Sequence, residues 1–380
     1  MKSTIKLWLI GIAQLISFGM VGQITNCTQQ FLVPEPAIET SGLIFLNGRI
    51  ITHNDSDGGN FLFELDSLTG EIIRTITVEN ATNVDWEDIS LDNEFIYIGD
   101  IGNNDGNRTD LGVYRISISD FSSSENVSAE QITFQYADQM DFTSAPEQNA
   151  FDAEALTVIG DSIFVFTKNW IDETTVIYGF PKAIGDNNVM PIATIDSQGL
   201  ITGATYNSTT DLILLTGYST LLSPFIVAIS DFTNDDFSNA LITKTTLPSP
   251  LGYGSQVEGI TWISSDRYFI SRELFQTTIA GVPLVYESAM FVMNYNQPIP
   301  SLVNEVLTSI RVFPNPALDT LNVEINEELS SRHFVILASD GREVIRGKVT
   351  GKNLSIPISE LTTGIYFLKL ANTIIAFSKQ

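Results

Sequence analysis

The sequence predicts an all-β protein: a five- or six-bladed β-propeller over residues 38–297, then a small immunoglobulin-like β-sandwich over 309–380. Three observations carry this. From about Glu39 to Asn296, short runs such as FIYIGDI, SIFVFTK, LILLTGY and RYFISRE are broken by Asn, Asp, Gly and Ser clusters, the pattern of strands and tight turns. No segment sustains a 3.6-residue apolar period, so helices are few. The strand pairs also repeat: VDWEDISLDNEFIYIGDIG, FDAEALTVIGDSIFVFTKN, ITGATYNSTTDLILLTGYS and QVEGITWISSDRYFISREL share one plan. A four-stranded antiparallel unit repeated five or more times closes as a propeller; an open sandwich or solenoid is the alternative.

The elements follow in order. Lys2 and Lys6 precede the apolar run LWLIGIAQLISFGMV, which ends at Gly22. This is the plan of a secretory signal peptide over residues 1–23, cleaved near Gly22 or Gln23. Residues 24–37 form an N-terminal segment. Cys27 follows Asn26, where a lipobox would need a small residue, so it is expected as a free thiol near a frayed terminus. No other stretch is apolar enough to span a bilayer, so the mature chain is expected to be soluble.

Within the repeats, Glu87, Glu154, Gly203 and Glu258 fall in one slot, and thirteen residues later lie Asp100, Thr167, Thr216 and Ser271. SGLIFLNGRIITHND is an earlier copy ending in His53, Asn54 and Asp55. A sixth blade is expected from AMFVMNYN together with the N-terminal strand. The start of one strand lies beside the end of its antiparallel partner. Radial repetition therefore gathers the acidic slots with Asp100, Lys168 and Arg272 on one face of a central channel.

Residues 298–308, with Pro298 and Pro300, read as a linker. The tail then alternates in SIRVFPNPALDTLNVEI, HFVILASDGREVIRG and NLSIPISELTTGIYFLKL. Pro314-Asn315-Pro316 with Asp319, Asp340-Gly341-Arg342, Leu361, Gly364-Ile365-Tyr366 and Lys369 resemble the type A C-terminal sorting domain of the type IX secretion system of Bacteroidota. The resemblance implies passage across the outer membrane to an extracellular or surface-attached location. It also implies the secretion machinery as a partner and a sorting role for these residues.

The charge balance is 19 Lys+Arg against 45 Asp+Glu, a net −26. Nucleic acid and anionic membrane both need a basic footprint and are excluded as main partners. Two distant histidines, His53 and His333, and one cysteine rule out a multi-histidine zinc site, a cysteine-cluster site and an internal disulfide framework. The chain is expected to be a monomer.

What remains is oxygen chemistry. Asp85, Glu87, Asp88, Asp100, Asn103, Asn104, Asp152, Glu154 and Glu258 are hard-cation ligands, and Ca²⁺ takes six to eight such oxygens. The acids equally suit a fastening role, capping backbone N–H groups and pairing with arginines. Asp55-Ser56-Asp57-Gly58-Gly59 suits calcium but is also an ordinary hairpin turn, which is the preferred reading. Trp86, Trp170 and Trp262 read as core or interface residues, and Tyr218 and Tyr253 as candidates for a rim. SGL, HNDS, DWED, GDIG and DAEAL together are similar to secreted bacterial propellers near the group labelled esterase-like activity of phytase, although Asn104 and Gly203 depart from the acidic pattern. That resemblance implies a Ca²⁺-dependent phosphoesterase, with Arg108, Lys168 and Arg272 as candidate phosphate stabilisers. A binding module for a glycan, protein or phosphate ester, with a cation on the acidic face, is the favoured expectation. A structural surface protein is a further alternative. No G-x-S-x-G element is present, which disfavours a serine esterase.

Overall fold

The computed structural model describes residues 23–56, 58–233, 235–252, 254–279, 282–297, 310–325, 333–338, 342–349, 351–370 and 373–380. The expected signal peptide, save its last residue, the linker, Asp57, Tyr253, Asp340 and Gly341 lie outside the described residues. The chain divides into two units, the larger ending at Gln297 and the smaller carrying Pro298–Gln380. Both are built of β-strands.

The larger unit begins with β1 (Gln23–Leu32). Sheet I comprises β2 (Thr40–Leu46), β3 (Arg49–Asn54), β4 (Phe61–Asp66) and β5 (Ile72–Val78). Sheet II is built on β6 (Trp86–Leu91), β7 (Phe95–Asp100) and β8 (Gly112–Ser117). A short helix, α1 (Ile118–Ser123), leads to β9 (Asn126–Val127), which pairs with β5, and to β10 (Glu130–Tyr136), the next strand of sheet II. Sheet III holds β11 (Ala153–Ile159), β12 (Ser162–Thr167) and β13 (Thr175–Pro181); β14 (Asp186–Val189) then crosses to β10 before β15 (Pro191–Ile195) completes the sheet. Sheet IV is β16 (Leu200–Asn207), β17 (Leu212–Tyr218), β18 (Pro224–Ser230) and β19 (Leu241–Thr246). Sheet V starts with β20 (Val257–Trp262) and β21 (Arg267–Arg272), sends out the hairpin β22 (Phe275–Ile279)–β23 (Val282–Tyr286), and returns as β24 (Ala289–Asn296).

AMFVMNYN is β24 and pairs with both β21 and β1. It and the N-terminal strand therefore complete sheet V instead of founding a sixth sheet. The expected frayed segment is likewise corrected: Cys27 pairs with Met293 within β1 and is buried. Burial pushes its thiol pKa up to about 11, which leaves a packing group rather than a reactive one.

The first strands β2, β6, β11, β16 and β20 stand side by side, and β20 lies against β2, so the series closes on itself. Five apolar clusters fill the gaps between successive sheets. Leu62, Trp86 and Ile98 lie between sheets I and II; Tyr97, Phe134 and Val165 between II and III; Phe166, Ile213 and Val227 between III and IV. Leu214, Ile270 and Phe291 fill the next gap, and Leu43, Phe63 and Phe269 the last. Strands packed on both faces must be apolar throughout, which is why LILLTGY in β17 is buried at every position.

The smaller unit contains β25 (Ile310–Phe313), β26 (Thr320–Ile325), β27 (His333–Ala338), β28 (Glu343–Lys348), β29 (Asn353–Pro357), β30 (Gly364–Leu370) and β31 (Thr373–Lys379). They form two sheets, β25-β26-β29 and β28-β27-β30-β31. One apolar cluster, with Leu321, Val323, Ile336 and Leu368, is shared between them. Period-2 alternation generates it: TLNVEI in β26 buries every second residue. No described helix is long and apolar enough to cross a membrane.

Candidate metal centre at the mouth of the strand ring

Each first strand carries a β-bulge at one register. The breaks fall between Thr40 and Leu43, Trp86 and Asp88, Ala153 and Ala155, Ile201 and Gly203, and Val257 and Ile260. A bulge re-aims the extra side chain. The equivalent residues are Ser41, Glu87, Glu154, Thr202 and Glu258. The repeat expected from sequence is thus corrected by one residue in sheet IV, where Thr202, not Gly203, holds the slot. Ser41 and Thr202 use their hydroxyls as inter-sheet ties, Ser41 donating to the Glu87 carbonyl and Thr202 to the Val257 carbonyl at 2.6 Å. Glu87, Glu154 and Glu258 are buried at the mouth of the ring.

The expected ligand set divides sharply. Asp85 and Glu87 join Asp55 in a group in which one carboxylate oxygen from each lies within 4.8 Å of the others. Among the described residues, no hydrogen bond reaches the Asp85 or Glu87 carboxylate, although Glu87 is only 3% exposed. Gly102 seals this pocket: a Cβ there would collide with Asp85 Oδ2 and Glu87 Oε1. Three carboxylates this close repel by ~3–4 kcal/mol per ionised pair at an effective dielectric of about 20. The group therefore holds either protons or a cation. Burial, then the charges of Asp55 and Asp152, lift Asp85 to about 7. Burial, then Asp55 and Glu154, raise Glu87 well above the carboxylate range. Asp55 is raised chiefly by burial.

Asp88, Asp100, Asp152 and Glu154 have internal partners, whereas among the described residues no hydrogen bond or ion pair reaches the buried Glu258 carboxylate. Asp88 accepts N–H groups from Ile89, Leu156 and Ala204 at 2.8, 2.8 and 3.0 Å, joining β6, β11 and β16. Asp100 pairs with Arg108 at 2.9 Å and accepts the Asp85 N–H. Asp152 accepts the Asn103 N–H at 2.7 Å and the Trp170 indole N–H at 2.8 Å. Asn103 accepts the Arg108 N–H and donates to the Phe151 carbonyl, while Asn104 is exposed and offers its carbonyl to Asn149. Glu154 is ion-paired with Lys168; burial still lifts it to about 8 against that attraction. Burial, then Glu273 and Glu154, raise Glu258.

The three candidate phosphate stabilisers are also engaged. Arg108 binds Asp100, Asp110 and the Gly102 carbonyl. Lys168 lies 3.5 Å from the Tyr218 hydroxyl and over the Trp170 ring. Arg272 donates twice to the Glu287 carbonyl and lies over Phe291.

Sequence reasoning missed Asp55, Glu273 and Gly102 as parts of this site. Asp55 lies in a segment that suits calcium as well as a hairpin turn, and the turn was the preferred reading. Glu273, raised to about 7 by burial and then by Asp55, sits inside its repeat but one residue beyond the end of β21. The GDIG motif was the usable signal for Gly102.

In the smaller unit, Asn315 accepts the Ser378 N–H at 2.9 Å and donates to the Ala376 carbonyl, tying the Pro314–Pro316 turn to β31. The Asp319 carbonyl accepts the Ile358 N–H. Tyr366, two residues after Gly364, is buried against Phe377 and donates its hydroxyl to the Thr362 carbonyl; Lys369 on the same strand is exposed.

Residues 311–380 match the secretion system C-terminal sorting domain. The sorting domain addresses its carrier to the type IX secretion machinery, and the protein is secreted to the cell surface or the extracellular space. No curated protein matches the chain in sequence. Among solved structures, PorZ, described as an essential bacterial surface component of the type IX secretion system of Porphyromonas gingivalis, is 12% identical with a TM-score of 0.35. That match covers 90% of this chain and 45% of PorZ, so the chain spans less than half of that protein. The α-L-arabinofuranosidase PaAbf62A of Podospora anserina is 9% identical over 73% of this chain and 98% of its own, with a TM-score of 0.41. The computationally designed Ika4 protein is 9% identical over 58% and 99%, with a TM-score of 0.27. Likenesses this low carry no argument about activity or fold beyond the sorting domain.

Proposed function

We propose that the protein is an exported binding module of a Bacteroidota cell surface: a cleaved signal peptide, a five-bladed β-propeller and an immunoglobulin-like sorting sandwich. The acidic mouth of the propeller holds one Ca²⁺. The observation that carries the cation is the convergence of Asp55, Asp85 and Glu87, with no hydrogen bond to the last two carboxylates among the described residues and a glycine where any Cβ would collide. Three converging carboxylates suit a hard cation, which prefers oxygen ligands. The cation serves binding and rigidity rather than phosphate chemistry, because Arg108, Lys168 and Arg272 are already held by internal partners.

Calcium calorimetry on the purified chain is the direct test. One site is expected, with Asp85→Asn and Glu87→Gln each weakening it at least tenfold and Asp100→Asn weakening it less. No calcium heat from a folded wild-type protein would discard the cation and leave the acids as internal fasteners.

A further inference from the structure

The far end of the strand ring carries a second site. A cavity of about 540 Å³ lies there, lined by residues of all five first strands. In the register set by the bulges, Ser90, Thr157, Thr205 and Thr261 occupy one position, facing Tyr97, Phe164, Leu214 and Phe269 on their partner strands. All four line the cavity and are at least nine-tenths buried. Among the described residues, no hydrogen bond uses the hydroxyls of Thr157, Thr205 or Thr261. Ser90 Oγ accepts the Val158 N–H at 3.2 Å and keeps its own proton to donate.

These residues are buried, but the three hydroxyls open onto the cavity, where an occupant that bonds them has only water to displace. Hydroxyls recur at one level on four separate sheets, three of them without a protein partner among the described residues, and point to a shared occupant. A hydroxyl both donates and accepts, so the ring is matched to a ligand that does the same. The half-buried rings of Trp262 and Tyr206 also line the cavity and offer flat apolar faces. The rim carries Asp92, Glu94 and Asp161 against Lys182 alone, which pairs with Asp92 at 2.9 Å and Asp161 at 3.6 Å, so it is net negative. A free anion is therefore repelled there, and among the described residues these carboxylates do not converge as metal ligands. The volume falls in the range of about 300–1,000 Å³ usual for small-ligand sites.

We propose that this cavity binds a neutral sugar, its hydroxyls bonded to the Ser/Thr ring and a ring face against Trp262. The site lies at the opposite end of the first strands from the acidic mouth and does not depend on calcium.

The test is saturation-transfer NMR and calorimetry on the full chain with glucose, galactose, mannose and N-acetylglucosamine. At least one is expected to bind, in EDTA as in calcium. Thr157→Val with Thr205→Val keeps the shape and removes two hydroxyls; it should weaken binding by about tenfold or more, while Thr261→Ser retains it. The valine variant should melt no lower than wild type, which separates a lost ligand contact from a lost fold. Glucuronic acid, the charged analogue, should bind more weakly than the neutral sugars. Failure of all four sugars to bind a folded protein, or binding untouched in the double valine variant, would overturn the proposal and leave a water-filled channel.

Discussion

At the scale of single residues, the mouth of the ring is governed by burial acting on carboxylates. Asp85 sits near 7, Glu154 near 8 and Glu273 near 7, against ordinary values of 3.8, 4.5 and 4.5. An acid raised in the folded state supports folding fully below its unfolded pKa. That support is lost as pH rises through the folded value. Metal-free Asp85→Asn protein should therefore melt a few degrees above wild type at pH 8, with the gap closing towards pH 4. Calcium should raise the wild type at pH 8 and leave the variant nearly unmoved. Melting curves at both pH values, in EDTA and in calcium, check this; a gap independent of pH would count against the protonated triad. Gly102→Ala places a methyl group against Asp85 and Glu87 and should reduce calcium affinity at least tenfold in calorimetry. Asp85 and Glu87 were legible in the sequence because DWED is dense in acids. Asp55 was not, because a turn and a ligand demand the same residue types and only the fold brings it to the other two.

At the scale of elements, the same register recurs in all five first strands but with different chemistry. One step beyond the bulge, the ring positions are Gly42, Asp88, Ala155, Gly203 and Gly259. The small residues permit close approach: a Cβ on Gly203 would strike the Glu258 carbonyl, and one on Gly259 the Ser41 carbonyl. Asp88 fills the space they leave and joins three sheets through backbone N–H groups. Asp88→Ala should strand two of those donors, Leu156 and Ala204, and cost ~2–5 kcal/mol. Chemical denaturation measures this, and a loss below ~1 kcal/mol would show that the fastening is unimportant. The sequence offered metal ligand and fastener as equal readings of these acids. Hydrogen-bond geometry separates Asp88, Asp100 and Asp152 from Asp85 and Glu87, and no pattern of spacing contains that geometry. The strands themselves were legible from their alternation, whereas the one-residue offset at Thr202 was hidden because bulges insert a residue without changing composition.

At the scale of the whole molecule, the two units divide the labour. The sorting domain fixes the destination of the chain: removing residues 310–380 should leave the protein behind the outer membrane, and fusing them to an exported reporter should carry the reporter out. Fractionation of a type IX-competent cell checks both, and surface delivery without the tail would contradict them. The tail was readable because its motifs occur in order along a short stretch. The union of the N-terminal strand with AMFVMNYN was legible, but it was assigned to a sixth sheet because local pattern does not show that AMFVMNYN also pairs with β21. The union itself has a consequence for biogenesis. β1 is among the first parts of the unit to leave the ribosome, yet its partner β24 is the last strand made. Every other sheet can assemble from segments already translated, but the circle stays unlatched until Ala289–Asn296 arrive. A chain emerging vectorially thus keeps this first strand without its partner for most of the unit's synthesis, and the latch is the last piece to be delivered.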